Sequence, residues 1–210
     1  MIETKQKILD TAERLFGEQG YGATSLRHII AEAGVNLAAI HYHFGSKEDL
    51  LDQLVMRKAG PVNDERLALL DRAEAEAGSG PLAVEKVLDA FLGPPLARAV
   101  NNPEIVKLMG RLYGEGLMPI IVEKHFQPVV ARFFAALARA LPHLTPEELA
   151  LRAQFMVGAM AHVMFAAPAL RAMSGTIAPL DPTILVRELV AFLGAGLRAP
   201  AVRPENNEEN

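Results

Sequence analysis

Two short segments of helical periodicity are joined by only three residues, Gly34-Val35-Asn36. Gly34 can adopt the left-handed conformation that ends a helix, and the Asn36 side chain can cap the first turn of the next one. A connection this short forces the two helices to cross tightly, so the pattern predicts a helix-turn-helix pair whose second helix is presented to a DNA major groove. The apolar residues at spacings of three and four are Leu26, Ile29, Ile30 and Ala33 before the turn and Leu37, Ile40 and Phe44 after it.

A preceding helix can pack across this pair. From Thr4 to Gly20 the apolar residues again follow one helix face, and Gly20 is suited to end the helix. Thr24 or Ser25 can cap the second helix of the chain. These signals predict a three-helix head, whose first helix carries the apolar face Ile8, Leu9, Ala12, Leu15 and Phe16.

The remainder of the chain is divided by glycine and proline into further helical segments, and no stretch alternates as a strand does. A fourth helix begins near Lys47, and a kink or break is expected at Gly60-Pro61, either as a hinge or as a static feature. The fold class is therefore all-α. Later helices are predicted over 84–92, 104–113, 117–141 with an interruption at Pro128, 146–167 and 182–198, and the polar end 201–210 is predicted to be disordered.

Composition excludes several classes. The chain has no cysteine, which rules out a disulfide framework and structural thiolate zinc. The apolar stretch 155–170 is interrupted by His162 and Pro168, so it is expected to be a buried helix rather than a membrane span, and no secretory signal opens the sequence. We therefore expect a cytoplasmic protein. Residues 1–50 carry five basic and seven acidic side chains, so any DNA binding must use a few placed groups and should depend only weakly on salt.

The run His41-Tyr42-His43 follows the predicted turn. On a helix, residues two apart point to nearly opposite sides, so the two histidines cannot close on one metal ion, and no metal is expected. The three side chains instead offer donors to phosphate oxygens and base edges, while Ala38 and Ala39 let the backbone approach a duplex. The alternative is half-buried packing at a helix end.

A possible anion site follows at the start of the fourth helix. Ser46 can cap this helix, which brings Lys47 next to the free amides of its first turn. A DNA phosphate would fit there.

Methionine and phenylalanine are frequent in the later helices, and Met156, Met160 and Met164 repeat every four residues on one face. Methionine adapts to irregular neighbours, so this face could line a pocket for a long apolar ligand, with polar residues holding an anionic or polar end. An ordinary core or dimer interface is the alternative. The predicted ligand-binding residues are Met109, Arg111, Tyr113, Phe126, Met156, Met160, His162 and Met164.

Residues 5–51, through KILDTAERLFGEQGYGATSLRHIIAEAGV and IHYHFGSKEDLL, resemble the DNA-binding domain of the TetR family of bacterial transcriptional regulators. The resemblance implies a helix-turn-helix DNA-binding head over 1–46 and a helical-bundle body over 47–200 that binds a ligand and dimerises. It further implies repression that a small molecule relieves. The DNA-binding residues carried over by position are Ser25, Arg27, Asn36, Leu37, Ala38, His41, Tyr42 and Lys47. His41 stands where tyrosine is usual, and Leu37 where a polar or basic residue is common.

The expected partners follow from the same resemblance. Small residues in the last two long helices permit close helix approach, and in the family the corresponding helices form a four-helix dimer interface that sets two heads on two half-sites of a pseudo-palindromic operator. The stretch 57–71 resembles a subgroup that includes regulators responsive to fatty acids or acyl thioesters, which suggests an acyl or other elongated apolar effector. Its polar end would lie near Arg111 or His162.

Enzymatic motifs are absent from the sequence, which has no GxSxG, P-loop, GxGxxG or HExxH. No catalytic activity and no cofactor are expected. The alternative to a DNA-binding regulator is a helical interaction module, or a small-molecule binding protein without a DNA function. Neither alternative explains the pattern of cap, aromatic cluster and lysine over 36–47.

Overall fold

The computed structural model describes residues 2–165 and 181–201. Within these ranges every regular element is a helix, which confirms the all-α fold class. The predicted tail, apart from its first residue, lies outside the described residues. The helices are α1 (Ile2–Gln19), α2 (Leu26–Ala33), α3 (Leu37–His43), α4 (Lys47–Ala77), α5 (Val84–Asn101), α6 (Pro103–Gly114), α7 (Met118–His125), α8 (Gln127–Ala140), α9 (Pro146–Phe165) and α10 (Pro182–Arg198).

The predicted caps of the head are confirmed. The Ser25 side chain accepts a hydrogen bond from His28 N, and the Asn36 side chain accepts one from Ala39 N. Gly34 ends α2 with φ of 59°, the left-handed conformation that glycine tolerates best. Thr24, the other candidate cap, is buried instead and donates to the carbonyl of Gly20 at 2.7 Å.

Of the kink or break predicted at Gly60-Pro61, the break does not occur, because α4 runs without interruption through both residues. Pro61 has no N–H for the preceding turn, and a proline inside a helix costs about 3 kcal/mol or more. Buried side chains flank it on both sides along α4, and their packing offsets this cost. They are Leu50, Leu51, Leu54, Val55, Ala59, Val62, Asn63, Arg66, Leu70 and Ala73.

The helix predicted over 84–92 is longer than expected, since α5 continues through Pro94 and Pro95 to Asn101. Pro95 cannot donate to the carbonyl of Phe91, four residues earlier. Arg66 Nε supplies the missing donor at 2.8 Å. The interruption predicted at Pro128 falls at Phe126 instead, and Pro128 lies in the first turn of α8, where proline costs no hydrogen bond.

Two apolar cores organise the molecule. The head core contains the predicted α1 face, together with Ile29, Ile40, Phe44 and the first half of α4, and it also contains Leu108, Leu112 and Ile121 from α6 and α7. The body core is formed by the second half of α4 with α5, α8, α9 and α10. Helix α4 therefore contributes to both. Among the described residues, no helix is long and apolar enough to cross a membrane.

Candidate nucleic-acid interface

Helix α3 is anchored by two buried apolar residues and exposes the side chains between them. Ile40 is fully buried and Phe44, at the C-cap, is nearly so. Ala38, His41 and Tyr42 lie on the outside, and Tyr42 is 73% exposed. The outward orientation predicted for these three residues agrees with the structure. Leu37 begins α3, and the structure describes only its backbone.

The aromatic run divides into outward and packed members. The Tyr42 and His43 rings meet edge-on with centroids 5.0 Å apart, and His43 in turn lies 6.1 Å from the Phe44 ring. His43 is half-buried and serves as packing, whereas Tyr42 presents its hydroxyl to solvent. His41 Nδ1 lies 3.2 Å from the carbonyl oxygen of Gly45, which fixes its ring at the end of α3.

Ser25 and Arg27 are exposed at the start of α2, as a role at the DNA backbone requires. The Ser25 Oγ accepts from His28 N at 3.2 Å, and the Asn36 Oδ1 accepts from Ala39 N at 2.8 Å. Both side chains therefore hold helix starts in place. Their remaining hydrogen-bonding capacity is the hydroxyl donor of Ser25 and the amide donors of Asn36.

Lys47 lies at the first position of α4 with its ammonium 4.1 Å from the centroid of the Tyr21 ring. Partial burial lowers the pKa of Lys47. Tyr21 donates its hydroxyl hydrogen to Glu48 Oε1 at 3.2 Å, and burial raises the pKa of Tyr21 to about 12. The Tyr21 ring thus holds the Lys47 ammonium at a defined place beside the start of α4.

Side chains of the first turn of α4 already interact with the N-terminus of this helix. Ser46 Oγ accepts from Asp49 N at 3.0 Å, and it donates to the Asp49 carboxylate at 2.6 Å. Glu48 and Asp49 place two negative charges in the first turn, where they already satisfy part of the helix dipole. A phosphate at this position would depend on Lys47 more than on the free amides.

Two further cations stand near α3 and were missed in the sequence. The Lys5 ammonium lies 5.8 Å from the centroid of the Phe44 ring, and a Cβ placed on Gly34 would be 3.7 Å from the Lys7 ammonium. Both lysines belong to the first two turns of α1, a helix that contacts both α2 and α3. Their position outside the apolar stripe of α1 indicated exposed side chains, but only the packing of α1 against α2 and α3 shows that they lie close to the recognition helix.

The eight predicted ligand-binding residues fall in three places. Met156, Met160 and Met164 belong to the body core or pack against it. Met109 and Phe126 pack against the head core instead. Arg111, Tyr113 and His162 are exposed, and Arg111 donates to the carbonyl of Glu18, which ties α6 to α1. The three methionines therefore lie at the body core, whereas Met109 and Phe126 lie at the head core.

A surface groove of about 670 Å³ opens between α4, α5 and α10. None of the eight predicted residues lines it. Its floor is apolar, and its rim carries acidic residues, of which Glu65 pairs with Arg98 and Glu85 with Arg198. Asp89 also borders the groove, and burial raises its pKa.

Helices α9 and α10 expose large apolar side chains that the monomer leaves uncovered. On α10, Phe192 is 75% exposed, although Leu189, Val190, Leu193 and Leu197 on the same helix are buried. On α9, Phe155 is 60% exposed. Leu151, Val157 and Ile184 on the same two helices are also exposed. Large exposed apolar side chains gathered on two helices are typical of an interface with another chain.

Comparison with known proteins identifies two family models on this chain. Residues 8–54 match the model described as bacterial regulatory proteins, tetR family. Residues 89–196 match the model described as Tetracyclin repressor-like, C-terminal domain. The two matches coincide with the helix-turn-helix region and with most of the body.

Curated relatives match over short parts of the chain. The HTH-type transcriptional regulator AcrR of Shigella flexneri is 50% identical over 52 residues, which are 25% of this chain and 24% of AcrR. The negative transcriptional regulator of the icaADBC biofilm operon, IcaR of Staphylococcus aureus, is 41% identical over 51 residues, which are 24% of this chain and 27% of IcaR. The matched segment thus spans about a quarter of the length of these curated relatives.

Solved structures match over nearly the whole chain. The fatty acid degradation regulator FadR of Bacillus halodurans gives a TM-score of 0.63 at 18% identity, covering 93% of this chain and 96% of FadR. FadR of Bacillus subtilis, solved in complex with stearoyl-CoA, gives 0.59 at 17% identity, covering 91% and 98%. At this level of identity the likeness concerns the fold.

Proposed function

The chain belongs to the TetR family of bacterial transcriptional regulators, and we propose that it is a dimeric repressor of a pseudo-palindromic operator, released by a small apolar ligand. One observation carries the DNA-binding part of this proposal. Helix α3 is capped by Asn36, anchored by Ile40 and Phe44, and turns a 73%-exposed Tyr42 outward. A short helix held from behind in this way can enter a major groove without disturbing its own packing.

Cations around α3 supply the phosphate contacts in this proposal. Lys47 follows α3 along the chain, Lys5 and Lys7 flank it from α1, and Arg27 is exposed on α2. Arg14 is excluded from this set, because it pairs with Glu18 and Glu32. With so few free cations the affinity should fall gently with salt, since each neutralised phosphate contributes about one unit to the slope.

Replacing the exposed aromatic or the placed lysine tests the interface. We expect Tyr42→Ala and Lys47→Ala each to weaken operator binding by about 1 to 3 kcal/mol, because each removes a contact to the duplex without opening the core. The assay is a gel shift against the promoter of the protein's own gene, with circular dichroism to verify that the helices persist.

Matched controls come from the body. Tyr113 on α6 is also a largely exposed tyrosine, and Lys86 on α5 is an exposed lysine paired with Glu76. Tyr113→Ala and Lys86→Ala should leave the gel shift unchanged. Unaltered affinity in both head variants would overturn the assignment of this surface, and binding of no duplex by the parent protein would favour an interaction module instead.

The ligand part of the proposal is supported by the methionine face and by the likeness to FadR. Met156, Met160 and Met164 lie in or against the body core, where an elongated apolar chain could be buried. The Bacillus subtilis FadR structure contains stearoyl-CoA, and residues 57–71 resemble acyl-responsive regulators. We propose an effector of this elongated, apolar kind. It would act by favouring the body conformation in which the two heads do not fit their half-sites.

Glu115 provides a direct connection between body and head. Its carboxylate, at the turn after α6, accepts from Tyr21 N at 3.0 Å and from Gly22 N at 2.9 Å. These two amides belong to the turn between α1 and α2 and otherwise face solvent. The same turn carries the Tyr21 ring that holds Lys47. A displacement of α6 would therefore move the Glu115 carboxylate, and with it the α1–α2 turn whose Tyr21 ring positions Lys47.

Removing this connection should loosen the α1–α2 turn. We expect Glu115→Ala to lower the free energy of unfolding by about 1 to 2 kcal/mol, since hydrogen bonds to a charged group are stronger than neutral ones but this carboxylate is exposed. Amide hydrogen exchange at Tyr21 and Gly22 should accelerate. Glu123→Ala, an exposed carboxylate on α7, is the control. Unchanged exchange at both amides would show that Glu115 does not hold the turn.

A further inference from the structure

Arg66 is a buried cation in the body. It lies on α4, is only 5% exposed, and packs its guanidinium 4.2 Å from the centroid of the Phe91 ring on α5. Its Nε donates to the Phe91 carbonyl, one Nη donates to Asn63 Oδ1 at 3.3 Å, and the other approaches the Met160 sulfur at 3.5 Å. Within residues 2–165 and 181–201, no carboxylate forms an ion pair with it.

The Nε and the two Nη groups of Arg66 differ in the strength of their hydrogen bonds. The Nε bond is short and has a structural purpose, because the Phe91 carbonyl lost its helical donor to Pro95. The Nη groups carry four of the five N–H donors, yet they meet only a long amide contact and a thioether, which is a weak acceptor. Burial lowers the pKa of Arg66 to about 10. The two Nη groups of Arg66 are thus held by weaker hydrogen bonds than its Nε.

A buried cation without a counter-charge is costly. Removing an ion from water carries a large desolvation penalty, and buried arginines are ordinarily paired with carboxylates. The polar neighbour Asn63 is neutral, and Met160 is apolar apart from its sulfur. The segment 166–180, which follows α9 in the sequence, contains no aspartate or glutamate. An anion at the Nη groups would supply the missing counter-charge and accept two parallel hydrogen bonds.

The surroundings favour an apolar molecule behind such an anion. Met160 contacts the guanidinium and belongs to the same helix face as Met156 and Met164. On the α5 side, the Phe91 ring meets the Phe133 ring edge-on at 5.1 Å. Methionine side chains change rotamer at little cost, so they can move aside for an entering chain. A ligand whose charged head binds Arg66 could therefore place its apolar tail against the methionine face.

We propose that Arg66 is the anion-recognition residue of the body's ligand site and that the effector is an apolar carboxylic acid, whose carboxylate takes the two Nη positions now facing Asn63 and Met160. This inference rests on the proposed function, and it moves the polar end of the ligand from exposed Arg111 or His162 to the interior. A neutral ester or thioester head would leave the guanidinium without its counter-charge. A carboxylate monoanion matches its fork.

The experiment compares acids with their neutral esters on the full-length protein. Straight-chain carboxylates from hexanoate to hexadecanoate, and the methyl ester of each, are titrated while binding is followed by calorimetry and melting temperature. We expect the acid of the best-fitting length to bind at least about tenfold more tightly than its methyl ester, because only the acid forms charge-assisted hydrogen bonds with the guanidinium. This comparison needs no variant, so a misfolded mutant cannot obscure it.

Variants then test whether Arg66 causes the preference for the acid over the ester. Arg66→Gln should abolish the difference between acid and ester, and Arg66→Lys should retain part of it, because the ammonium keeps the charge and loses the fork. Arg111→Gln, the exposed control, should bind the acid as the parent does. Equal affinity for acid and ester, absence of binding by every acid in the series, or an undiminished preference in Arg66→Gln would overturn the inference. A retained gel shift in that case would leave the proposed DNA function standing.

Discussion

Phe192→Asp is expected to convert the dimer that we propose to a monomer and to lower its operator affinity by about a hundredfold or more. Phe192 is 75% exposed on α10, beside further exposed apolar residues of α9 and α10. Truncating a central aromatic anchor of an interface typically costs about 2 to 4 kcal/mol, and a buried carboxylate adds a desolvation cost to that. One short recognition helix binds weakly, so a monomeric head loses the contribution of the second half-site.

Light scattering after size exclusion at micromolar concentration measures the oligomeric state, and a gel shift measures the DNA affinity. Ile120→Asp is the matched control, because Ile120 is also exposed but lies on α7, away from this surface. It should remain dimeric with unchanged affinity. A parent protein that is monomeric, or a Phe192→Asp variant that remains dimeric, would show that α10 does not form the interface.

Ile121→Ala should destabilise the protein by about 2 to 5 kcal/mol, the usual cost of truncating a large aliphatic residue in a core. Ile121 is 3% exposed and belongs to the head core although it lies on α7, in the middle of the chain. Its neighbour Ile120 is 55% exposed, and Ile120→Ala should change the free energy of unfolding by no more than about 0.5 kcal/mol. Urea unfolding followed by circular dichroism measures both.

The same pair of variants tests whether head and body unfold together. Because Leu108, Leu112 and Ile121 complete the head core, Ile121→Ala should shift one cooperative transition rather than a separate transition of the body. DNA binding should be lost at a lower urea concentration in step with this shift. A head whose unfolding is unaffected by Ile121→Ala would show that α1 to α4 are stable without α6 and α7.

The parts of the fold that local chemistry decides were predictable from the sequence. Ser25, Asn36 and Ser46 cap helices because each can bond an amide two or three residues ahead, and Gly34 ends α2 because it tolerates the left-handed conformation. The outward orientation of Tyr42 followed from the spacing of Ile40 and Phe44. None of these features needs a partner from elsewhere in the chain.

The features that the sequence did not reveal depend on distant contacts. Pro95 predicts a helix end. In the structure α5 continues, because Arg66 on α4 donates to the Phe91 carbonyl that the proline leaves without a donor. Glu115 reads as a loop residue until it meets two amides of the α1–α2 turn. One signal was available for Arg66. It shares the helix stripe of Ala59, Val62 and Leu70, all of which are buried, so its spacing already indicated an inward side chain.

The unbroken course of α4 through Pro61 has a mechanical consequence. With 31 residues the helix is about 46 Å long, at 1.5 Å per residue, and its two halves are embedded in different cores. A tilt of α4 in the body core would therefore also displace the part of α4 that lies in the head core. A tilt of only about 5° at the body end carries the far end through roughly 4 Å, more than the 3.4 Å rise of one base pair. In the dimer that we propose, the two displacements would add, so the proposed effector could shift the heads out of register with their half-sites while every helix remains folded.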